Sequence, residues 1–237
     1  MNKLIICLSL MGLSLNASAA TYVALGDSIT SGTNAAPGVF GNDYSWAVGS
    51  KLERTFARAL GNRIDKIHAL AIPGATAPVL LAQSLIAEQL HPSFVTIEIG
   101  GNDFAWGLGH QVVPYVRQVV ERLSAADPKP RIFLATIPDL EQIYQLGQGK
   151  LRCQITHWIA PLFLKASLEK RQAISQAIRD ANNEIIALGE DFANVTIVTV
   201  VGEGQLTPDD VSEVDCIHPS VKGQQRIADA FIRALEH

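Results

Sequence analysis

Phe94-Val95-Thr96-Ile97-Glu98-Ile99-Gly100-Gly101-Asn102-Asp103 decides how this chain is read: six strand-forming, mostly apolar residues stop abruptly at two glycines and two turn-favouring polar residues. A short, mostly apolar run that stops at such residues reads as a buried strand opening into a turn. The same transition recurs on either side of it. Residues 22–25 form a short apolar run ending at Gly26-Asp27-Ser28, and residues 64–70 lead to Pro73-Gly74; downstream, apolar runs fall at 131–136 and 195–200. Helical patterns are predicted between them at 45–60, 77–90, 111–124 and 162–188. A last helix at 221–235 repeats Ile227, Ala228, Phe231 and Leu235 at helical spacing. Five strands alternating with helices predict a mainly five-stranded parallel sheet in a three-layer α/β/α sandwich. The longest irregular stretches are 29–44, 140–157 and 202–219, and two of them adjoin the carboxyl end of a strand, where ligands bind in open α/β sheets.

Composition narrows the function. At 237 residues, with 48% hydrophobic and 18% charged, the chain can bury one substantial core and is neither a disordered polar chain nor a charged coiled coil. A net charge of −4 argues against a basic surface that tracks nucleic acid. Near the start, Lys3 precedes an apolar run from Leu4 to Leu15, and Ala17-Ser18-Ala19 then supplies the small-x-small pattern of a signal-peptidase site. Cleavage after Ala19 is expected, leaving 20–237 as one mature domain that is periplasmic or extracellular. No later apolar run is long enough for a membrane span, so no stable membrane insertion is expected, and a monomer is the default. Cys7 falls in the leader. Cys153 and Cys216 remain, and an oxidising compartment favours a disulfide between them over two unrelated core thiols. Because Cys216 lies between Asp215 and His218, such a bridge would tether that segment to the middle of the chain.

Four short segments carry chemistry. Ser28 follows a strand at a turn where its hydroxyl can stand above the sheet; taken alone, a strand-ending Asp-Ser is more often a turn or helix cap than a nucleophile. Thr30 occupies the position where the five-residue nucleophile elbow needs glycine, so the ordinary α/β-hydrolase motif is absent. Asp215-Cys216-Ile217-His218 places a carboxylate three residues before a histidine, a spacing at which a turn can set the carboxylate on one ring nitrogen and free the other to take a proton. Gly74 can bring an unhindered backbone N–H to a reacting carbonyl, and Asn102 can offer its side-chain amide. The other histidines, His68, His91, His110, His157 and His237, read as packed, capping or exposed residues. No spacing of Cys, His, Asp and Glu suggests a metal site, and Gly107-Leu108-Gly109 and Gly147-Gln148-Gly149-Lys150 are too incomplete for dinucleotide or phosphate loops. No metal or cofactor is expected.

In combination, Gly26-Asp27-Ser28, Gly74, Gly100-Gly101-Asn102-Asp103 and Asp215-Cys216-Ile217-His218 closely resemble the SGNH/GDSL hydrolase family. Their order and separations span nearly the whole mature chain, although Ile29 stands where the family often has Leu. The resemblance implies the same three-layer fold, Ser28 as nucleophile, His218 as general base and acid, and Asp215 as the orienting carboxylate. It also implies an oxyanion hole formed by the Ser28 and Gly74 backbone N–H groups and the Asn102 side chain. Asp27 and Asp103 are expected to support these residues rather than to react. The implied activity is hydrolysis of a small-molecule or lipid acyl ester of the carboxylesterase, lysophospholipase or lipase type. A thioesterase, a carbohydrate O-deacetylase or an inactive secreted binding protein could carry the same residues.

Overall fold

A computed structural model describes residues 20–38, 41–148, 150, 153, 166–199 and 206–237. Five strands, β1 (Thr21–Gly26), β2 (Lys66–Ala69), β3 (Phe94–Glu98), β4 (Arg131–Ala135) and β5 (Val195–Val198), form one sheet in the order β2-β1-β3-β4-β5. Every neighbouring pair is parallel. Parallel strands need crossovers, and here these carry helices α1 (Ser28–Ser31), α2 (Phe56–Leu60), α3 (Ala77–Gln89), α4 (Gly101–Ala105), α5 (Val112–Ser124), α6 (Leu140–Gln148) and α7 (Leu168–Asp191), with α8 (Val221–Glu236) following β5.

The two-residue period of a strand divides the core into two layers. Val23 and Leu25 of β1, Val95 and Ile97 of β3 and Ile132 and Leu134 of β4 pack with Leu80, Val116, Val120, Ile178 and Ile185 from α3, α5 and α7. The alternate residues Tyr22, Ala24, Phe133 and Ala135 face Phe56, Ile227 and Phe231 from α2 and α8. Both faces are therefore covered, as the apolar runs require, and the expected three-layer sandwich is present. Inside it the Tyr22 hydroxyl and Thr96 Oγ1 are hydrogen-bonded at 2.8 Å. Successive crossovers run outward from β1 in opposite directions, so a crevice opens between the carboxyl ends of β1 and β3.

Two expected elements differ. Residues 45–60 are not one helix; only Phe56–Leu60 is helical. The Ser45 hydroxyl accepts from the Ala47 and Val48 N–H groups at 3.2 Å each, and the Phe56 and Ala57 N–H groups donate to the Trp46 and Ala47 carbonyls. These bonds fold the segment into a compact loop that still buries Trp46, Ala47, Leu52 and Phe56. Conversely, the stretch 140–157, expected to be irregular, begins with α6, whose first N–H groups are capped by Asp139 Oδ1, 3.0 Å from the Glu141 nitrogen. The expected helix 162–188 corresponds to α7, with 162–165 outside the described residues. Residues 154–157 and 200 also lie outside them. No helix among the described residues is long and apolar enough to cross a membrane. Cys153 and Cys216 form a disulfide, with Cα atoms 5.4 Å apart.

Candidate active site

The site begins where β1 leaves the sheet. Gly26 has φ +144°, and a Cβ there would lie 2.3 Å from the Glu98 carbonyl oxygen and 2.4 Å from Thr30 Oγ1, so only glycine allows this turn. Gln83, buried on α3, clamps it from both sides: the Gly26 N–H donates to Gln83 Oε1 and Gln83 Nε2 donates to the Gly26 carbonyl, both at 2.8 Å. Asp27 caps α1 by accepting from the Ile29 N–H at 2.8 Å. Ser28 is therefore held at the top of the sheet on a turn with little freedom.

The second half of the site arrives just before α8. Asp215 Oδ1 accepts from the Ile217 and His218 backbone N–H groups at 3.1 and 3.0 Å, a turn that lays the carboxylate beside the ring of His218. His218 Nδ1 lies 2.5 Å from Asp215 Oδ2 and Nε2 lies 2.7 Å from Ser28 Oγ. Ser28, His218 and Asp215 thus form a continuous hydrogen-bonded chain across 190 residues of sequence. Gln224 of α8 fixes the docking of that helix: its Oε1 accepts from the Trp46 N–H at 3.0 Å and its Nε2 donates to the Ile29 carbonyl at 2.9 Å.

Electrostatics suit proton transfer along this chain. Burial raises the Asp215 carboxyl, but the hydrogen bond and charge of His218, the backbone N–H and Asn34 outweigh it and hold the group down at about 2. For His218 burial favours the neutral ring, yet the hydrogen bond and charge of Asp215, with Asp27 beyond it, leave it above its ordinary value. Burial raises Asp27 to about 6, opposed by its bond from Ile29 and the charge of His218. Glu98, a buried neighbour of Asp27, is raised well above the carboxylate range by burial and by the Asp27 charge. An imidazole so held accepts a proton from a hydroxyl at Nε2 while the resulting charge is balanced at Nδ1.

The loop residues lie around this chain. Asn102, on α4, donates from Nδ2 to the Ala75 carbonyl at 2.9 Å and to Asp27 Oδ2 at 3.1 Å. Both hydrogens of that amide are thus engaged within the protein. Asp103 turns away from the crevice and accepts from the Ala77 N–H at 3.1 Å with both oxygens, capping α3 where Thr76 does not. Burial raises its carboxyl to about 6, partly offset by backbone bonds. Gly74 is exposed in a left-handed conformation (φ +81°) on the neighbouring loop. Sequence reading missed Asn34, which donates to Asp215 Oδ2 at 2.7 Å, together with Gln83, Glu98 and Gln224. Among the described residues no group of three or more His, Cys, Asp or Glu side chains is placed to hold a metal ion.

The parallel sheet thus brings serine, histidine and aspartate together at its carboxyl edge, and solved structures share its α/β/α fold. TesA superposes with a TM-score of 0.57 at 18% identity, over 91% of this chain and 98% of its own. An extracellular lipase from Streptomyces rimosus does so with 0.58 at 20%, over 92% and 99%, and the psychrotrophic esterase EstA from Pseudoalteromonas sp. with 0.54 at 18%, over 91% and 96%. The GDSL-like Lipase/Acylhydrolase family matches residues 24–226, and the chain belongs to that family. It is accordingly a serine-dependent hydrolase acting on esters. No curated protein matches it in sequence.

Proposed function

We propose that the protein is an exported carboxylic ester hydrolase that works through a covalent acyl-enzyme on Ser28. The observation that carries this reading is the unbroken chain from Ser28 Oγ through His218 to Asp215, with contacts of 2.7 and 2.5 Å. Ser28 Oγ attacks the ester carbonyl while its proton passes to His218 Nε2; the carbon–oxygen bond to the alcohol then breaks and His218 returns the proton to the leaving oxygen. Water, deprotonated by the same nitrogen, releases the acid and restores Ser28. The Ser28 and Gly74 backbone N–H groups and Asn102 Nδ2 are the proposed donors to the tetrahedral oxyanion. A full negative charge in the crevice competes with Asp27 for the Asn102 N–H, so that donation strengthens as charge develops.

An apolar acyl or alcohol group fits best. Ile29, Pro138, Ile143, Leu206 and Ile217 line a cavity that reaches His218. Ile72, Trp106 and Leu108 are 50%, 58% and 37% exposed on the loops that carry Gly74 and follow Asn102. Export after cleavage behind Ala19, leaving 20–237 as one domain, agrees with the disulfide, which persists in oxidising compartments. The test is hydrolysis of p-nitrophenyl esters from acetyl to palmitoyl by residues 20–237 and by Ser28→Ala, both checked for folding by circular dichroism. Turnover is expected to fall by about 10⁴-fold or more in the variant. Undiminished hydrolysis by folded Ser28→Ala would remove Ser28 as the nucleophile.

A further inference from the structure

Asp215 has four acceptor positions, and all four are filled. Oδ1 takes the Ile217 and His218 backbone N–H groups, and Oδ2 takes His218 Nδ1 at 2.5 Å and Asn34 Nδ2 at 2.7 Å. Asn34 is thus the only side chain besides the histidine that bonds this carboxylate among the described residues, and it meets the same oxygen. It comes from the far end of the sequence, 181 residues away, on the loop that starts at Ser28.

That loop is folded back on the serine. The Thr33 N–H donates to the Ser28 carbonyl at 3.0 Å, the Gly32 N–H to the Ile29 carbonyl at 3.2 Å, and Asn34 itself adopts φ +55°, a left-handed conformation that asparagine tolerates better than most residues. Its carbonyl is held as well, accepting from Ser212 Oγ at 2.5 Å. Ser212 in turn donates its N–H to the His218 carbonyl at 2.8 Å and accepts from the Cys216 N–H at 3.0 Å. The hydrogen bonds therefore close a ring: Ser28 to His218, to Asp215, to Asn34, and through the backbone to Ser28 again.

We infer that Asn34 is a positioning residue for proton transfer: its amide fixes the Asp215 oxygen that orients His218 and locks that oxygen to the loop of Ser28. The inference rests on the roles proposed above for Ser28, His218 and Asp215. Without the Asn34 donor, Oδ2 loses half of its hydrogen bonding, the carboxylate gains freedom to rotate, and its charge falls more fully on the histidine ring. Neutral His218 then becomes scarcer at a given pH, and its Nε2 is less often aimed at Ser28. The other titratable and charged groups facing this pair are Asp27 beside the ring and Glu98, Asp210 and Arg226 around the adjoining cavity. A change at Asn34 leaves all of them in place.

The test compares Asn34→Gly, which keeps the left-handed backbone and deletes the donor, with Asn34→Asp, which keeps the shape and replaces a donor by an acceptor. Rates with p-nitrophenyl acetate are measured against pH, together with the downfield proton resonance of the His218–Asp215 hydrogen bond. Expected is a kcat lower by roughly tenfold to a hundredfold, the range set by one hydrogen bond to a charged group, with KM little changed. The acid limb of the pH profile moves to higher pH, further for Asn34→Asp than for Asn34→Gly, and the resonance is displaced from its wild-type position in both. Wild-type kcat and acid limb in both variants, with Ser28→Ala inactive, would overturn the role of Asn34 and leave the nucleophile intact. A lower kcat with the limb and the resonance unmoved would reduce Asn34 to a loop staple and overturn the inference too. Activity in folded Ser28→Ala would instead remove the reading on which it rests.

Discussion

Replacing Asp215 by asparagine changes one atom, and the hydrogen bonds around that atom determine the outcome. The amide can point its oxygen toward the Ile217 and His218 backbone N–H groups, now bound at 3.1 and 3.0 Å, which sets its NH₂ against His218 Nδ1 and Asn34 Nδ2. In the flipped orientation the NH₂ faces the two backbone donors instead. The first arrangement opposes one donor pair and the second opposes two. Each such conflict leaves buried groups unsatisfied at about 1–3 kcal/mol, so the first is preferred. In it Nδ1 must become an acceptor, the proton moves to Nε2, and the nitrogen 2.7 Å from Ser28 Oγ can no longer take the serine's proton. The expected loss in kcat is about 10⁴-fold, or roughly 5.5 kcal/mol, with little change in KM. Loss of the carboxylate charge also moves the acid limb of any residual activity to lower pH, since Asp215 is what raises His218 against its burial. Single-turnover kinetics with p-nitrophenyl acetate measure acylation directly. A kcat within tenfold of wild type, in a protein shown to be folded, would refute the assignment of the tautomer and of Asp215 with it.

Other perturbations test the scaffold. Gln224→Ala deletes the buried amide that joins the Trp46 N–H to the Ile29 carbonyl and should lower unfolding free energy by about 2–5 kcal/mol in urea titration. A loss under about 0.5 kcal/mol would mean that α8 docks through its apolar face alone. Asp103 is raised from 3.8 to about 6 by burial, so its contribution to stability is full below pH 3.8 and declines as pH rises through about 6. Asp27 acts with the same sign over the same window. Tm is thus expected to fall between about pH 4 and 7, and less steeply in Asp103→Asn; an unchanged slope would show that burial of Asp103 is not what the fold responds to.

Most strands were legible because each is a short, mostly apolar run that leads to turn residues. The segment around Trp46 was not, because its apolar spacing satisfies a helix while the bonds that forbid one run to Phe56 and Ala57. The helix after Pro138 carries a readable signal in Asp139, whose carboxylate caps its first turn. In the site, Ser28, Asn102, Asp103, Asp215 and His218 sit in compact local patterns and could be singled out from spacing. Gln83, Asn34 and Gln224 could not. Their bonds reach across 57, 181 and 195 residues, and an isolated amide in a sequence gives no sign of the distant group it will satisfy.

The long reach between Ser28 and His218 has a consequence in time. A chain made from its amino end produces the serine 190 residues before the histidine, and the two can meet only when the segment before α8 has folded back onto the turn after β1. Until then the serine stands without a base, a hydroxyl like any other. Reactivity is therefore conferred late in synthesis, and a chain that stops short of His218 has no imidazole to take the proton of its serine.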